Sequence, residues 1–198
     1  MLKKLLFNPS LLLILIGNGW CIWYFNQNPN GFSTIVWIYW WQSVIIGIFN
    51  FIDLATLKSY NPGTLKINGT PVGANKNGCV ASFFLVHYGI FHLVYFVFLI
   101  TKYNVINKNT VLLCLGSFLL EALWTLRHKK IYEQTNNVNI GVVMFLPYIR
   151  IVPMHLIIMV PAFLGITPTL LFLVLKTFAD IVFHEVSTGL YQKNIQDK

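Results

Sequence analysis

The sequence predicts an all-α fold: a polytopic bundle of six transmembrane helices, forming one integral-membrane domain over residues 1–198, with both termini in the cytoplasm. Three observations lead there. First, the 198 residues are 56% hydrophobic and only 10% charged, with mean hydropathy +0.65, whereas a soluble domain carries about 25% charged residues. Second, the apolar residues fall into six stretches separated by polar turns, each close to the roughly 17–25 residues that span a bilayer. Third, the net charge of +8 is concentrated in short loops, where Lys and Arg mark cytoplasmic segments.

Helix 1 is expected at Pro9–Phe25, with Pro9 in its first turn, where a missing N–H costs nothing. The amino terminus has the look of a signal peptide, but no small-x-small cleavage site follows Leu11–Ile16, so an uncleaved first helix is the expectation. Asn26–Gly31 reads as a tight polar turn. Helix 2 is expected at Phe32–Leu57, with a polar loop over 58–78, helix 3 at Cys79–Thr101 and helix 4 at Thr110–Arg127. Helix 5 is expected over about Val142–Ile166, bent by Pro147, Pro153 and Pro161. Helix 6 follows the Thr167–Pro168 reversal and runs to about Leu190.

This threading places Lys3, Lys4, Lys58, Lys66, Lys76, Arg127, Lys129, Lys130, Lys193 and Lys198 on one side and only Lys102 and Lys108 on the other. Ten against two orients the chain and implies a multi-pass protein of the plasma membrane, a prokaryotic inner membrane. Its expected partners are the lipid bilayer and anionic lipid headgroups. Nucleic acid is not expected, because the charge does not gather with exposed aromatics on one face. Self-association into a homo-oligomer is left open. Cys21, Cys79 and Cys114 are widely separated, with no CxxC spacing, and read as small buried hydrophobes rather than a disulfide framework or zinc site. Trp40 and Trp41 lie deeper than the interfacial aromatics and read as bundle lining.

Ionisable residues interrupt the apolar runs. Lys176, Asp180 and His184 are four apart, so they share one helix face. A central Lys or Asp costs about 2.5–3.5 kcal/mol on insertion, while each large apolar residue returns only about 0.3–0.6. A helix so burdened needs other helices to cover its polar face, and ionisable residues at that depth mark functional sites. Helix 3 carries His87 and His92, about 140° apart around a regular helix, with Gly89 between them offering a close approach for another backbone. His155 follows Pro153 in helix 5. Helix 4 has a polar stripe of Ser117, Glu121, Thr125 and His128, and Glu121 needs a partner. Helix 2 adds Gln42, Ser43, Asn50 and Asp53, the last expected to be solvated at the helix end. Arg150 is expected to reach phosphate headgroups.

Counting along each helix puts His87, His155, Asp180 and His184 within roughly 10–15 Å of the inner boundary. Three imidazoles and a carboxylate suit a divalent transition metal: Zn, Fe or Mn, or Cu if Met154 or Met159 joins. In that reading His87, His155, Asp180 and His184 are ligands. His92, Tyr95, Glu121, Lys176 and Tyr88 support them, and the protein is a metal-binding membrane protein or, in fuller form, a membrane-embedded metalloenzyme. Two alternatives use the same residues. One is a small proton-coupled transporter or channel, with the polar side chains as a relay and Lys176–Asp180 as a switchable ion pair. The other is a non-catalytic polytopic subunit whose polar residues hold helices together. In the plainest reading of helix 6, Lys176 and Asp180 form an ion pair capped by His184.

The motifs His87-Tyr-Gly-Ile-Phe-His92, Pro153-Met-His155 and Lys176-x3-Asp180-x3-His184 give the chain a resemblance. It resembles a family of small, uncharacterised polytopic membrane proteins of bacteria and archaea. The resemblance implies an all-α membrane fold over most of the chain and supplies no reaction. It also implies a further His beyond helix 6, where this chain has Glu185 and Tyr191.

Overall fold

In the computed structural model, residues 9–28, 31–63, 65–73, 76–103, 107–133, 138–149, 151, 164 and 170–192 are described. They are mostly helical: α1 (Pro9–Gln27), α2 (Phe32–Ala55), α3 (Asn77–Lys102), α4 (Lys108–Glu133), α5 (Ile140–Phe145) and α6 (Leu170–Gln192). Three of these, Phe32–Ala55, Asn77–Lys102 and Lys108–Ile131, are long and apolar enough to cross a membrane. A helix suits that medium because it satisfies its own backbone hydrogen bonds. The expected helix 5 is described as far as Phe145, where a turn at Leu146–Pro147 follows. Most of its remainder, including Arg150, Pro153 and His155, lies outside the described residues.

Side-chain contacts set the helix directions. At one end of α2 the Asn107 amide donates to Thr34 Oγ1 at 2.9 Å, and at the other end Lys130 reaches Asp53. α2 and α4 therefore run parallel. α3 runs opposite to α2: Trp37 Nε1 donates to the Tyr103 carbonyl at 2.6 Å, while Asn77 Nδ2 donates to the Leu54 and Ala55 carbonyls. These Asn77 bonds satisfy carbonyls that the end of α2 leaves without helical partners. The basic loop residues Lys58, Lys66 and Lys76 share the Lys129 and Lys130 end, with Lys102 and Lys108 at the other.

α2 is the central helix. Its buried positions include Ile35, Val36, Trp37, Ile38, Tyr39, Trp40, Gln42, Ser43, Ile45, Gly47, Asn50 and Asp53, all around its circumference. α3 buries one stripe, Phe84, Tyr88, His92, Tyr95 and Leu99, and leaves Val86, Ile90, Leu93, Val94 and Val97 exposed. On α4, Leu112, Leu113, Leu120 and Leu123 are likewise exposed. Charged and amide side chains sit inside and branched aliphatics outside, the reverse of a fold solvated by water.

Two glycines permit close packing. A Cβ at Gly47 would lie 2.4 Å from Tyr88 Cε1, and one at Gly17 would lie 2.9 Å from Phe118 Cε1. These are the α2–α3 and α1–α4 contacts. Gly89, expected to admit a neighbouring backbone, has open space around it instead, because it lies on the outer face of α3.

The polar loops at the basic end carry short strands that the helix-based reading lacked. β1 (Tyr60–Asn61) pairs in parallel with β4 (Val138–Asn139), tying the α2–α3 loop to the α4–α5 connection. β2 (Lys66–Ile67) and β3 (Thr70–Pro71) form a hairpin through Asn68–Gly69, both at positive φ. The Asn-Gly pair is a strong short hairpin signal in a sequence. Asn139 caps α5 by accepting from the Gly141 and Val142 amides.

Candidate functional site

Two polar clusters lie inside the bundle. The charged one joins α1 and α6. Lys176 and Asp180, one turn apart on α6, form an ion pair at 2.5 Å. Asn18 of α1 completes it: its Nδ2 donates to Asp180 Oδ2 at 3.0 Å and its Oδ1 accepts from Lys176 Nζ. The ammonium also lies over the Tyr39 ring, 4.4 Å from its centre, with Phe118 beyond. Asn18, Lys176 and Asp180 are 1%, 5% and 3% exposed. Buried charges persist when each is paired and its remaining hydrogen-bonding capacity is used. Asn18 does both, offering an acceptor to the cation and a donor to the anion. Cys21 and Cys114 are free and buried in the apolar cluster beside it, as expected, whereas Cys79 is free but exposed.

One turn after Asp180, His184 lines a cavity between α1, α2, α4, α6 and the turn that follows α5. The polar lining is Gln42, Asn50 and Asp53 of α2, Glu121, Thr125 and Lys129 of α4, and His184. Thr125 Oγ1 donates to Glu121 Oε1 at 2.9 Å, giving Glu121 the partner its depth requires. Glu121, Thr125 and Lys129 form a file on α4 at four-residue spacing, as Lys176, Asp180 and His184 do on α6. At the cavity floor Asp53 Oδ1 is 2.7 Å from Lys130 Nζ, and Asp53 Oδ2 is 3.8 Å from Lys129 Nζ. The cavity volume is about 60 Å³, enough for a few water molecules but not for a lipid or drug-sized molecule.

The second cluster joins α2 and α3 and is neutral. His92 Nδ1 meets the Tyr88 carbonyl at 2.9 Å, and a carbonyl can only accept, so Nδ1 carries a proton. Nε2 of the neutral ring then accepts from Ser43 Oγ at 2.9 Å, which leaves the Tyr88 hydroxyl as a donor, with Ser43 Oγ at 2.8 Å and the Ser43 carbonyl at 3.1 Å as its acceptors. Trp40 Nε1 donates to the His92 carbonyl at 3.1 Å.

The chain belongs to the Family of unknown function (DUF6498). That family's model matches residues 6–196, and the resemblance to a family without an assigned activity is thereby shown. No curated protein and no solved structure matches the chain.

In this DUF6498 chain the residues expected to act together are spread over separate places. Asp180 and His184 lie along one face of α6, with Lys176 and Glu121 near them. His87 is not with them. α3 packs on α2 through Tyr88 and His92, so His87 falls on the exposed face, where it shares a hydrogen bond of 2.8 Å with Tyr148 and stacks on Phe83. His92 and Tyr88 belong to the neutral cluster, and Tyr95 is buried near Trp40 and Leu99. His155 and Arg150 lie outside the described residues. Among the described residues, no three or more His, Cys, Asp and Glu side chains are grouped to hold a metal ion. Trp40 lines the bundle, but Trp41 is exposed.

Two expectations are corrected in detail. Asp53 is buried rather than solvated, because α4 continues to Glu133 and so carries Lys129 and Lys130 back over it. The polar stripe of α4 continues through Lys129, since His128 turns outward and bonds the Trp124 carbonyl. The residue missed altogether is Asn18. Its signal was an amide in the middle of an otherwise apolar helix, the position where a polar group needs a partner.

Proposed function

We propose that this chain is a six-pass plasma-membrane protein, with both termini in the cytoplasm, that moves protons, or a small cargo coupled to protons, along its polar interior. The observation that carries the reading is the pair of facing polar files. Lys176, Asp180 and His184 on α6 run beside Glu121, Thr125 and Lys129 on α4 and lead to the Asp53–Lys130 pair at the basic end. Ionisable groups are costly at this depth and are kept where charge must travel.

Asp180 is the switch in this scheme. As a carboxylate it neutralises Lys176. A proton arriving on Asp180 removes that charge and leaves the ammonium with Asn18 Oδ1 and the faces of Tyr39 and Phe118. His184, one turn on, supplies an imidazole, the side-chain type suited to passing protons on. Glu121 and the Asp53 clamp extend the path toward the basic end, which the excess of Lys and Arg assigns to the cytoplasm. Anionic headgroups are the partners that suit that end. The cavity favours protons and water over larger cargo by its size alone. The metal reading finds less support, because it needs His87 beside Asp180 and His184.

The test is proton flux into proteoliposomes under an imposed pH gradient, read with an entrapped pH dye. Wild-type protein should carry flux above that of empty vesicles, and Asp180→Asn should bring it down to that background. Flux that survives Asp180→Asn, or wild-type vesicles that conduct no better than empty ones, would overturn the reading.

A further inference from the structure

Gln42 and Asn50 lie on the cavity side of α2, 3% and 6% exposed. Gln42 Oε1 and Asn50 Nδ2 have no hydrogen-bond partner among the described residues. One is an acceptor and the other a donor, about two turns apart on the same wall. A buried polar atom left without a partner in an apolar medium is heavily penalised, and native structures supply one, commonly an ordered water. The cavity between them has room for a few waters, and Glu121, Asp53, Lys129 and His184 supply more polar partners around it.

We infer that this cavity is a water-binding site: a short hydrogen-bonded chain of waters, held by Gln42 Oε1 and Asn50 Nδ2, runs from His184 and Glu121 to Asp53 and Lys129. Its use as a proton path rests on the function proposed above; its hydration does not. From Gln42 to Asp53 the α2 wall is about 16 Å long, a span that a file of a few waters can cover. The Asp53–Lys130 pair closes the file at the basic end.

The probe is water itself. X-ray radiolysis turns bound water into hydroxyl radicals that oxidise the side chains beside it, and mass spectrometry locates the products in the detergent-solubilised full chain. Phe49, Leu126 and Phe183, which line the cavity, should oxidise at least about fivefold faster than buried Phe84 or the exposed, detergent-covered Leu93. Ala122→Leu fills the cavity and should abolish that excess; should it not fold, Ile46→Phe fills the same space. Equal rates at cavity and control positions would overturn the inference, whatever the proton flux. An excess that Ala122→Leu and Ile46→Phe both leave intact would overturn it too, since the labelled water would lie elsewhere. Oxidation as expected with no wild-type flux would uphold the water site and sink only the transport reading.

Discussion

Gln42 and Ser43 are neighbours in sequence, yet they belong to interiors of opposite character. Ser43 enters the α2–α3 junction, where His92, Tyr88 and Ser43 satisfy one another and no charge is present. Gln42 faces the α1–α4–α6 side, where an ion pair is buried and an amide oxygen is left open beside a cavity. The difference teaches how to sort polar groups inside a membrane bundle. A neutral network with every donor and acceptor used is an adhesive between helices. A charged one with open positions has been kept at a cost that adhesion does not require.

The sharpest way to break this contrast is Lys176→Met. It leaves Asp180 buried without its cation and should destabilise the protein by about 3–5 kcal/mol, read by unfolding in detergent. Adding Asp180→Leu should recover most of that loss, because an apolar pair replaces a stranded charge. A single variant as stable as wild type would mean that the ion pair is not what holds α6 in place. Next in size is Gly47→Ala. Its Cβ would press on the Tyr88 ring and cost about 1–3 kcal/mol, whereas Gly89→Ala meets open space and should be near neutral. Equal effects at the two glycines would contradict the close packing at the neutral junction.

The smallest effects compare the two neighbours directly. Ser43→Ala removes the donor to His92 and should cost about 0.6 kcal/mol, at most about 1.7, with proton flux unchanged. Gln42→Leu removes an acceptor that has no partner among the described residues of the protein, so stability should hold or rise while flux falls. If Ser43→Ala abolished flux and Gln42→Leu spared it, the roles assigned to the two sides would have to be exchanged.

Much of the fold was legible because bilayer length and apolar runs limit where long helices can lie. The bounds of α2 and α3 fall within about a turn of expectation. α4 runs longer, since Lys129 and Lys130 look like loop residues until Asp53 explains them. The hairpin at Asn68–Gly69 carries its signal in the turn dipeptide, inside a segment whose composition marks it as a polar loop. The site was half legible. The four-residue spacing of Lys176, Asp180 and His184 announces a shared face, and the ion pair is there, completed by Asn18. What spacing within a helix cannot announce is which face each helix turns to its neighbours. The spacing of His87 and His92 makes them diverge, but packing of Tyr88 and His92 against α2 decides that His87 is the one left outside.

The pairing of β1 with β4 has a mechanical consequence. Asp53 holds Lys130 across the end of the bundle, and a few residues further along each chain segment Tyr60 holds Val138. The two attachments close a ring made of the α2–α3 loop and the α4–α5 connection. A rearrangement at the cavity floor should therefore reach the β1–β4 pair as well, where a protease or a spectroscopic label can register it.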